Sequence, residues 1–237
     1  MHSAILLLDF DGTVCLGEAP VLAYADAVAA RMLGADGDDL RRRLGAFLAG
    51  GTGEDFVDGY AAVAAYSAGR VSAEDQAAAY LASRRLLAAG DLHVWAPPGF
   101  ADFLAGLSAG VRTVLVTNAP RIGITETLAA LGLGSSIDEV ITDAAKPGGM
   151  ESILDELLAD VPARSLMSIG DIWRNDLEIP HRRGCVTALI DHNRTGDDRP
   201  TLLAEHFEDL YPIVREWSSA PKSFDYRTLT GTRKGTS

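Results

Sequence analysis

The stretch Ala4-Ile5-Leu6-Leu7-Leu8-Asp9-Phe10-Asp11-Gly12-Thr13-Val14 decides the reading of this chain. Five apolar residues run straight into Asp9, which is the length and character of a strand buried on both faces. Side chains at i and i+2 of a strand point the same way, so Asp9 and Asp11 are expected to converge where the strand ends. Two carboxylates that close need a cation or a shared proton. Hard oxygen ligands favour Mg²⁺ over softer metals. A solvated Asx turn with Gly12 at the bend is the plain alternative. A buried strand feeding bare carboxylates argues against it, because buried charges are rarely left unpaired.

Beyond this stretch the pattern becomes helical. Val21, Ala25, Val28 and Met32 share one face, with Pro20 near the start and Gly34 just past the end. Leu40, Leu44, Phe47 and Leu48 form a second stripe with Arg41, Arg42 and Arg43 on its wetter side. The chain breaks at Gly50-Gly51-Thr52-Gly53, and Phe56, Tyr60 and Val63 mark a third helix. Ser72 with Asp75 reads as a capping box opening a fourth, which is expected to bury Ala77, Tyr80, Leu81 and Leu87. So long a helical stretch does not fit a strand-to-strand connection; residues 15–95 read as an inserted, all-helical cap domain.

Pro97-Pro98-Gly99 closes the insertion, and helix and strand then alternate. Strands are expected over Val111–Thr117, Glu139–Asp143, Ser165–Gly170 and Gly184–Ile190, separated by helices. This is the pattern of an α/β protein with a doubly wound parallel sheet, formed by residues 1–14 and 96–217. Leu202 to Trp217 is read as a closing helical segment interrupted by Pro212, and residues 218–237 as a polar tail.

Asp9 and Asp11, Thr117 and Asp171 stand at or just beyond the carboxyl ends of expected strands, and Lys146 follows another. Open α/β sheets bind ligands at that edge. Each residue also has a plainer reading. Thr117-Asn118 suits a helix cap, Lys146 a solvated loop, and Asp171 and Asp176 a helix start. Against these, Lys146 is the only lysine before Lys222, and Gly170 implies a close approach to the backbone.

The same residues resemble the motifs of the haloacid dehalogenase superfamily, mostly Mg²⁺-dependent phosphatases. Asp9-Phe10-Asp11-Gly12-Thr13-Val14 resembles its first motif, Thr117 after Val114-Leu115-Val116 its second, and Lys146-Pro147 its third. Gly170-Asp171-Ile172-Trp173-Arg174-Asn175-Asp176 resembles the fourth. All four occur in order, over about residues 4–215, and the helical insertion after the first motif is where the family places a cap. The resemblance implies that Asp9 is a nucleophile forming an aspartyl-phosphate and that Asp11 is the general acid and later base. It places Mg²⁺ on Asp9, the backbone carbonyl of Asp11 and Asp171, with Asp176 as an outer or water-mediated ligand. Thr117, Asn118 and Lys146 would hold the phosphoryl oxygens, with Lys146 neutralising charge.

Asp11 weighs against dehalogenation, in which no leaving alkoxide needs a proton. Schiff-base phosphonatase chemistry needs a cap lysine, and residues 14–95 contain none. A hydrolase of small phosphomonoesters leads. A phosphomutase of the same superfamily, or a phospho-accepting or binding module without turnover, are the alternatives. A formal net charge of −12 disfavours nucleic acid and anionic membrane as partners. The partner expected is a small phosphorylated metabolite, with Arg41, Arg42, Tyr60 and Arg174 as candidate contacts to its leaving group. Two cysteines, Cys15 and Cys185, give no disulfide framework, and no segment reads as a signal or membrane span; a cytoplasmic location is expected.

Overall fold

The computed structural model describes residues 2–50, 54 and 56–225, so Gly51–Gly53 of the expected chain break and 226–237 of the expected tail lie outside the described residues. The chain forms two compact units. One comprises residues up to Val14, Pro97–Asn118 and 135 onward; the other comprises Cys15–Ala96 and Ala119–Gly134.

The first unit is built on a six-stranded sheet. Its strands are β1 (Ala4–Leu8), β2 (Val111–Val116), β3 (Glu139–Ile141), β4 (Leu166–Gly170), β5 (Val186–Ile190) and β6 (Leu202–Ala204). They lie in the order β3-β2-β1-β4-β5-β6, every adjacent pair parallel. All five residues of β1 are buried, as a strand covered on both faces requires. Ile5 and Leu7 pack with Val114, Val116, Leu154 and Leu157 on one face. An aromatic cluster of Phe100, Phe103, Phe207 and Tyr211 forms elsewhere in this unit, with the Phe103 and Tyr211 rings stacked at 4.2 Å. The chain order reverses across β1, whose neighbours are β2 and β4. That reversal opens the crevice in which doubly wound sheets place their ligands. The register fixes what meets there: Leu8 pairs with both Leu115 and Ile169, so Asp9, Thr117 and Asp171 follow within two residues on three adjacent strands.

The second unit is helical: α1 (Ala19–Ala29), α2 (Ala35–Leu48), α3 (Gly59–Ser67) and α4 (Ala73–Ala89). Helix α5 (Phe100–Ala105) belongs to the sheet unit, and α6 (Ile124–Ala130) to the helical one. The sheet unit also holds α7 (Met150–Leu157), α8 (Glu178–Arg182) and α9 (Tyr211–Ser219). Val21, Tyr24, Ala25, Val28, Leu40, Leu44 and Val63 are the buried centre of the helical unit. The Tyr24, Tyr60 and Tyr80 rings close a triangle with centroids 5.6 to 5.8 Å apart.

The structure corrects the sequence reading in five places. Residues 119–134 group with the inserted helices rather than the sheet. Gly123, at φ 85°, packs so tightly there that a Cβ would fall 2.9 Å from the Arg84 carbonyl oxygen. Helix α4 starts after Ser72 as expected, and the Ser72 hydroxyl accepts from the Asp75 N–H at 3.1 Å. Its buried face is Ala79, Ser83, Arg84 and Leu87, while Ala77 and Leu81 are exposed. Helix α3 begins at Gly59, where the Asp58 carboxylate accepts from the Ala61 N–H at 2.7 Å, so Phe56 precedes it. Leu202 opens β6 rather than a helix, and Pro212 starts α9 instead of interrupting it, in the first turn where its missing N–H costs nothing. Finally, α9 runs on to Ser219 with Ser218 buried, so the polar stretch begins later than Ser218.

Candidate active site

Oxygen atoms of Asp9, Asp171 and Asp176 lie within 4.8 Å of one another at the carboxyl edge of β1 and β4. The side chain of Asp11 lies outside this trio. Strand β1 ends at Leu8, so the alternation that would aim Asp9 and Asp11 to one side has already stopped, and the chain turns through Gly12 at φ 81°. The carboxylate that joins Asp9 comes instead from the neighbouring strand. A Cβ on Gly12 would stand 2.3 Å from Asp171 Oδ2, so only glycine lets this turn lie against that side chain.

Lys146 answers the negative charge. Its ammonium donates to Asp9 Oδ1 at 2.6 Å, Asp176 Oδ1 at 2.6 Å and the Val116 carbonyl oxygen at 2.9 Å. Those three bonds use every proton of the group, and its side chain is only 3% exposed. Burial by itself lowers a lysine's proton affinity, but the charges of Asp9 and Asp176 override it and raise Lys146 above the usual lysine range. Asn118 secures this lysine from behind: its side-chain oxygen accepts from the Lys146 N–H at 2.5 Å and its amide donates to the Lys146 carbonyl at 3.0 Å. Both ends of the Asn118 amide are thus spent on the Lys146 peptide. Thr117, 2% exposed, continues β2, and its N–H donates to the Ile141 carbonyl at 2.9 Å.

Asp176 reaches the cluster because the chain after β4 folds back on itself. Residues Trp173–Leu177 form a π-helical turn, a form often found at functional sites. The Asp176 carboxylate accepts from the Ile172 N–H at 3.0 Å, and the Ser168 hydroxyl donates to the Asp176 carbonyl at 2.8 Å. The close approach implied by Gly170 is this side chain: a Cβ there would fall 2.4 Å from the Asp176 Cβ. Burial, then the charge of Asp9, pushes the Asp176 carboxyl up to about 7 despite Lys146. Burial, then Asp9 and Asp176, holds Asp171 well above the usual carboxylate range.

Three acids against one ammonium leave the cluster short of positive charge. Asp171 Oδ1 is buried and has no hydrogen-bond partner in the structure, a costly state for a carboxylate oxygen in a folded protein. An all-oxygen donor set with an orphaned oxygen fits a hard divalent cation such as Mg²⁺. Three of the residues read as candidate leaving-group contacts have partners within the helical unit. Arg41 pairs with Asp26 and Asp38, Arg42 with Asp39, and Tyr60 packs among tyrosines.

Two contributors escaped the sequence reading. The Thr13 hydroxyl lies 3.4 Å from Asp9 Oδ2, and the His192 ring nitrogen Nε2 lies 2.7 Å from the Gly12 carbonyl oxygen. Thr13 was legible as part of the turn following Asp9, whereas nothing local to His192 marks it, since its partner is 180 residues away.

The sheet order and the site together define a class: a doubly wound α/β protein with an acidic, ammonium-braced cluster at the carboxyl edge of its central strands. The chain belongs to the haloacid dehalogenase-like hydrolase family, whose sequence model matches residues 6–164. No curated protein matches it in sequence. Among solved structures it is similar to the inferred HAD-hydrolase YfnB of Bacillus subtilis bound to magnesium, at 19% identity and TM-score 0.61, over 90% of this chain and 99% of that one. A predicted phosphoglycolate phosphatase from Haemophilus somnus is similar at 15% identity and TM-score 0.62, over 90% and 99%. An inferred beta-phosphoglucomutase from Thermotoga maritima is similar at 18% identity and TM-score 0.60, over 91% and 99%. At such identities the likeness establishes the fold. No helix among the described residues is long and apolar enough to cross a membrane.

Proposed function

We propose that the protein is a Mg²⁺-dependent phosphohydrolase that cleaves a small phosphomonoester through an aspartyl-phosphate on Asp9. The observation that carries this reading is the convergence of Asp9, Asp171 and Asp176 within 4.8 Å, with Lys146 bonded to two of them. Asp9, Asp171, Asp176 and the Asp11 backbone carbonyl would hold the cation, which would screen the charge of an incoming phosphate dianion. Asp9 attacks phosphorus with one carboxylate oxygen, and the ester oxygen leaves. Asp11 gives that oxygen a proton and then takes one from the water that attacks phosphorus, which returns Asp9 as free carboxylate and releases inorganic phosphate. Thr117 and neighbouring N–H groups bind phosphoryl oxygens. Lys146 shares one of its protons with the phosphoryl group while keeping Asp9 oriented.

The leaving group is a small metabolite rather than a polyanion, in keeping with the formal net charge of −12. Cys15 and Cys185 are buried and not joined in a disulfide, which suits a cytoplasmic setting. The test is a phosphatase screen of sugar phosphates, nucleotides and small acid phosphates, with Mg²⁺ and with excess EDTA. Phosphate release that requires Mg²⁺ is expected. Turnover that persists in EDTA removes the metal from the account, and recovery of an isomeric sugar phosphate in place of inorganic phosphate makes the protein a mutase.

A further inference from the structure

The loop joining β5 to β6 reaches two of the turns that build the site, although it supplies none of the acids. Its shape is fixed by Asp191, 7% exposed. Asp191 Oδ1 accepts from the Thr195 N–H at 2.9 Å and the Thr195 hydroxyl at 3.0 Å, and Oδ2 from the Gly196 N–H at 2.8 Å. The Asp191 N–H donates to the Ala204 carbonyl at 2.8 Å and ties the loop's ends together. A loop closed on a buried carboxylate in this way holds its own side chains in place.

Two of them point at the site. His192 Nε2 meets the Gly12 carbonyl oxygen at 2.7 Å; a carbonyl only accepts, so the proton resides on Nε2. Farther along, the Arg199 guanidinium, paired with Asp197, lies 4.6 Å from the centroid of the Trp173 ring. Trp173 opens the π-helical turn that delivers Asp176. Gly12 in turn lies so close to Asp171 that a Cβ would overlap its carboxylate. One loop therefore bears on the turn carrying Asp11 and on the turn carrying Asp176.

We propose that residues 191–200 form a brace for the site, with His192 as a positioning residue that holds the Asp11–Gly12 turn against Asp171. His192 does not touch the reacting atoms. It acts through the Gly12 carbonyl, the peptide oxygen immediately after Asp11. The consequence for turnover rests on the phosphohydrolase reading; the brace itself belongs to the metal-free protein and is tested there.

The experiment compares wild type, His192→Ala and His192→Gln, the last offering an amide N–H at similar reach. In metal-free protein, hydrogen exchange is followed at Thr13 and Val14, whose N–H groups donate to the Phe10 carbonyl at 3.2 and 2.9 Å. His192→Ala should speed exchange at these two amides about 2–10-fold, the usual worth of one hydrogen bond, and His192→Gln should restore it. Amides of β5 should be unchanged. A calorimetric Mg²⁺ titration should show His192→Ala binding more weakly by a similar factor, with kcat lowered more than KM is raised. Unchanged exchange at Thr13 and Val14 overturns the brace, and so does acceleration spread over β5 and β6, which would make His192 a support of its own loop only. If wild type binds no Mg²⁺, the phosphohydrolase reading fails, and the exchange result still decides the brace.

Discussion

Lys146 balances part of the charge of the acidic cluster. Its three donors hold Asp9, Asp176 and a backbone carbonyl at once, and its removal strands two buried carboxylates. Lys146→Met is expected to destabilise the metal-free protein by about 3–5 kcal/mol at neutral pH, as breaking a buried pair does. The loss should shrink at lower pH, because Asp176, already pushed up to about 7, can take a proton instead. Chemical denaturation at the two pH values measures this directly; a loss independent of pH would mean that Lys146 acts through packing. The two acids of the first turn should fail differently. Asp9→Asn abolishes turnover with every substrate. Asp11→Asn should cost about 10²–10⁴ with an alkyl phosphate, the usual worth of general acid–base catalysis, but far less in the first step with p-nitrophenyl phosphate, whose leaving group needs no proton. Equal slowing of phosphoenzyme formation with both substrates would contradict the roles given to Asp9 and Asp11.

At the scale of elements, the decisive feature is the passage from β4 into the π-helical turn. Gly170 has no room for a side chain beside Asp176. Gly170→Ala should therefore cost about 1–3 kcal/mol through overpacking and should weaken Mg²⁺ binding by displacing Asp176. Equilibrium unfolding and calorimetry check the two effects, and an unaltered Mg²⁺ affinity would show that Asp176 does not depend on that space. The sequence revealed much of this architecture. Long apolar runs marked β1, β2, β4 and β5 because buried parallel strands leave no polar alternation to confuse. Their carboxyl ends therefore marked Asp9, Thr117 and Asp171. Short β6 was misread because Leu202, Leu203 and Ala204 are too few to separate period 2 from period 3.6. That the Asp9 cluster is completed by Asp171 and Asp176 rather than by Asp11 was hidden because β1 ends at Leu8, before the alternation can carry through to Asp11. Asn118 was read as a substrate contact, and its grip on the Lys146 peptide joins residues 28 apart, which no local pattern discloses. The grouping of 119–134 with the helical insert is likewise a product of packing.

For the whole molecule, the acidic cluster couples stability to pH and to metal. Asp176 moves from an ordinary value of 3.8 in the unfolded chain to about 7 in the fold. Between those limits the native state holds a proton that the unfolded chain has released, so this group's contribution to stability falls as pH rises. Lys146 is raised in the fold, and its contribution is complete throughout that window. Metal-free protein should therefore melt higher at mildly acidic than at mildly alkaline pH, and Asp176→Asn should flatten that slope. Mg²⁺ should add more stability at the alkaline end, about 2.7 kcal/mol at a hundredfold excess over Kd, because there it no longer competes with protons. An unchanged slope in Asp176→Asn would assign the effect to other groups. The central claim is that Asp9 becomes transiently phosphorylated, and the measurement that tests it most directly is rapid acid quench of Asp11→Asn mixed with Mg²⁺ and p-nitrophenyl phosphate, followed by peptide mapping. The account predicts a phosphoryl group on Asp9 that accumulates because its hydrolysis lacks a base, and that is absent in Asp9→Asn and in excess EDTA. A protein that releases p-nitrophenol at every turnover while Asp9 stays unmodified would contradict it.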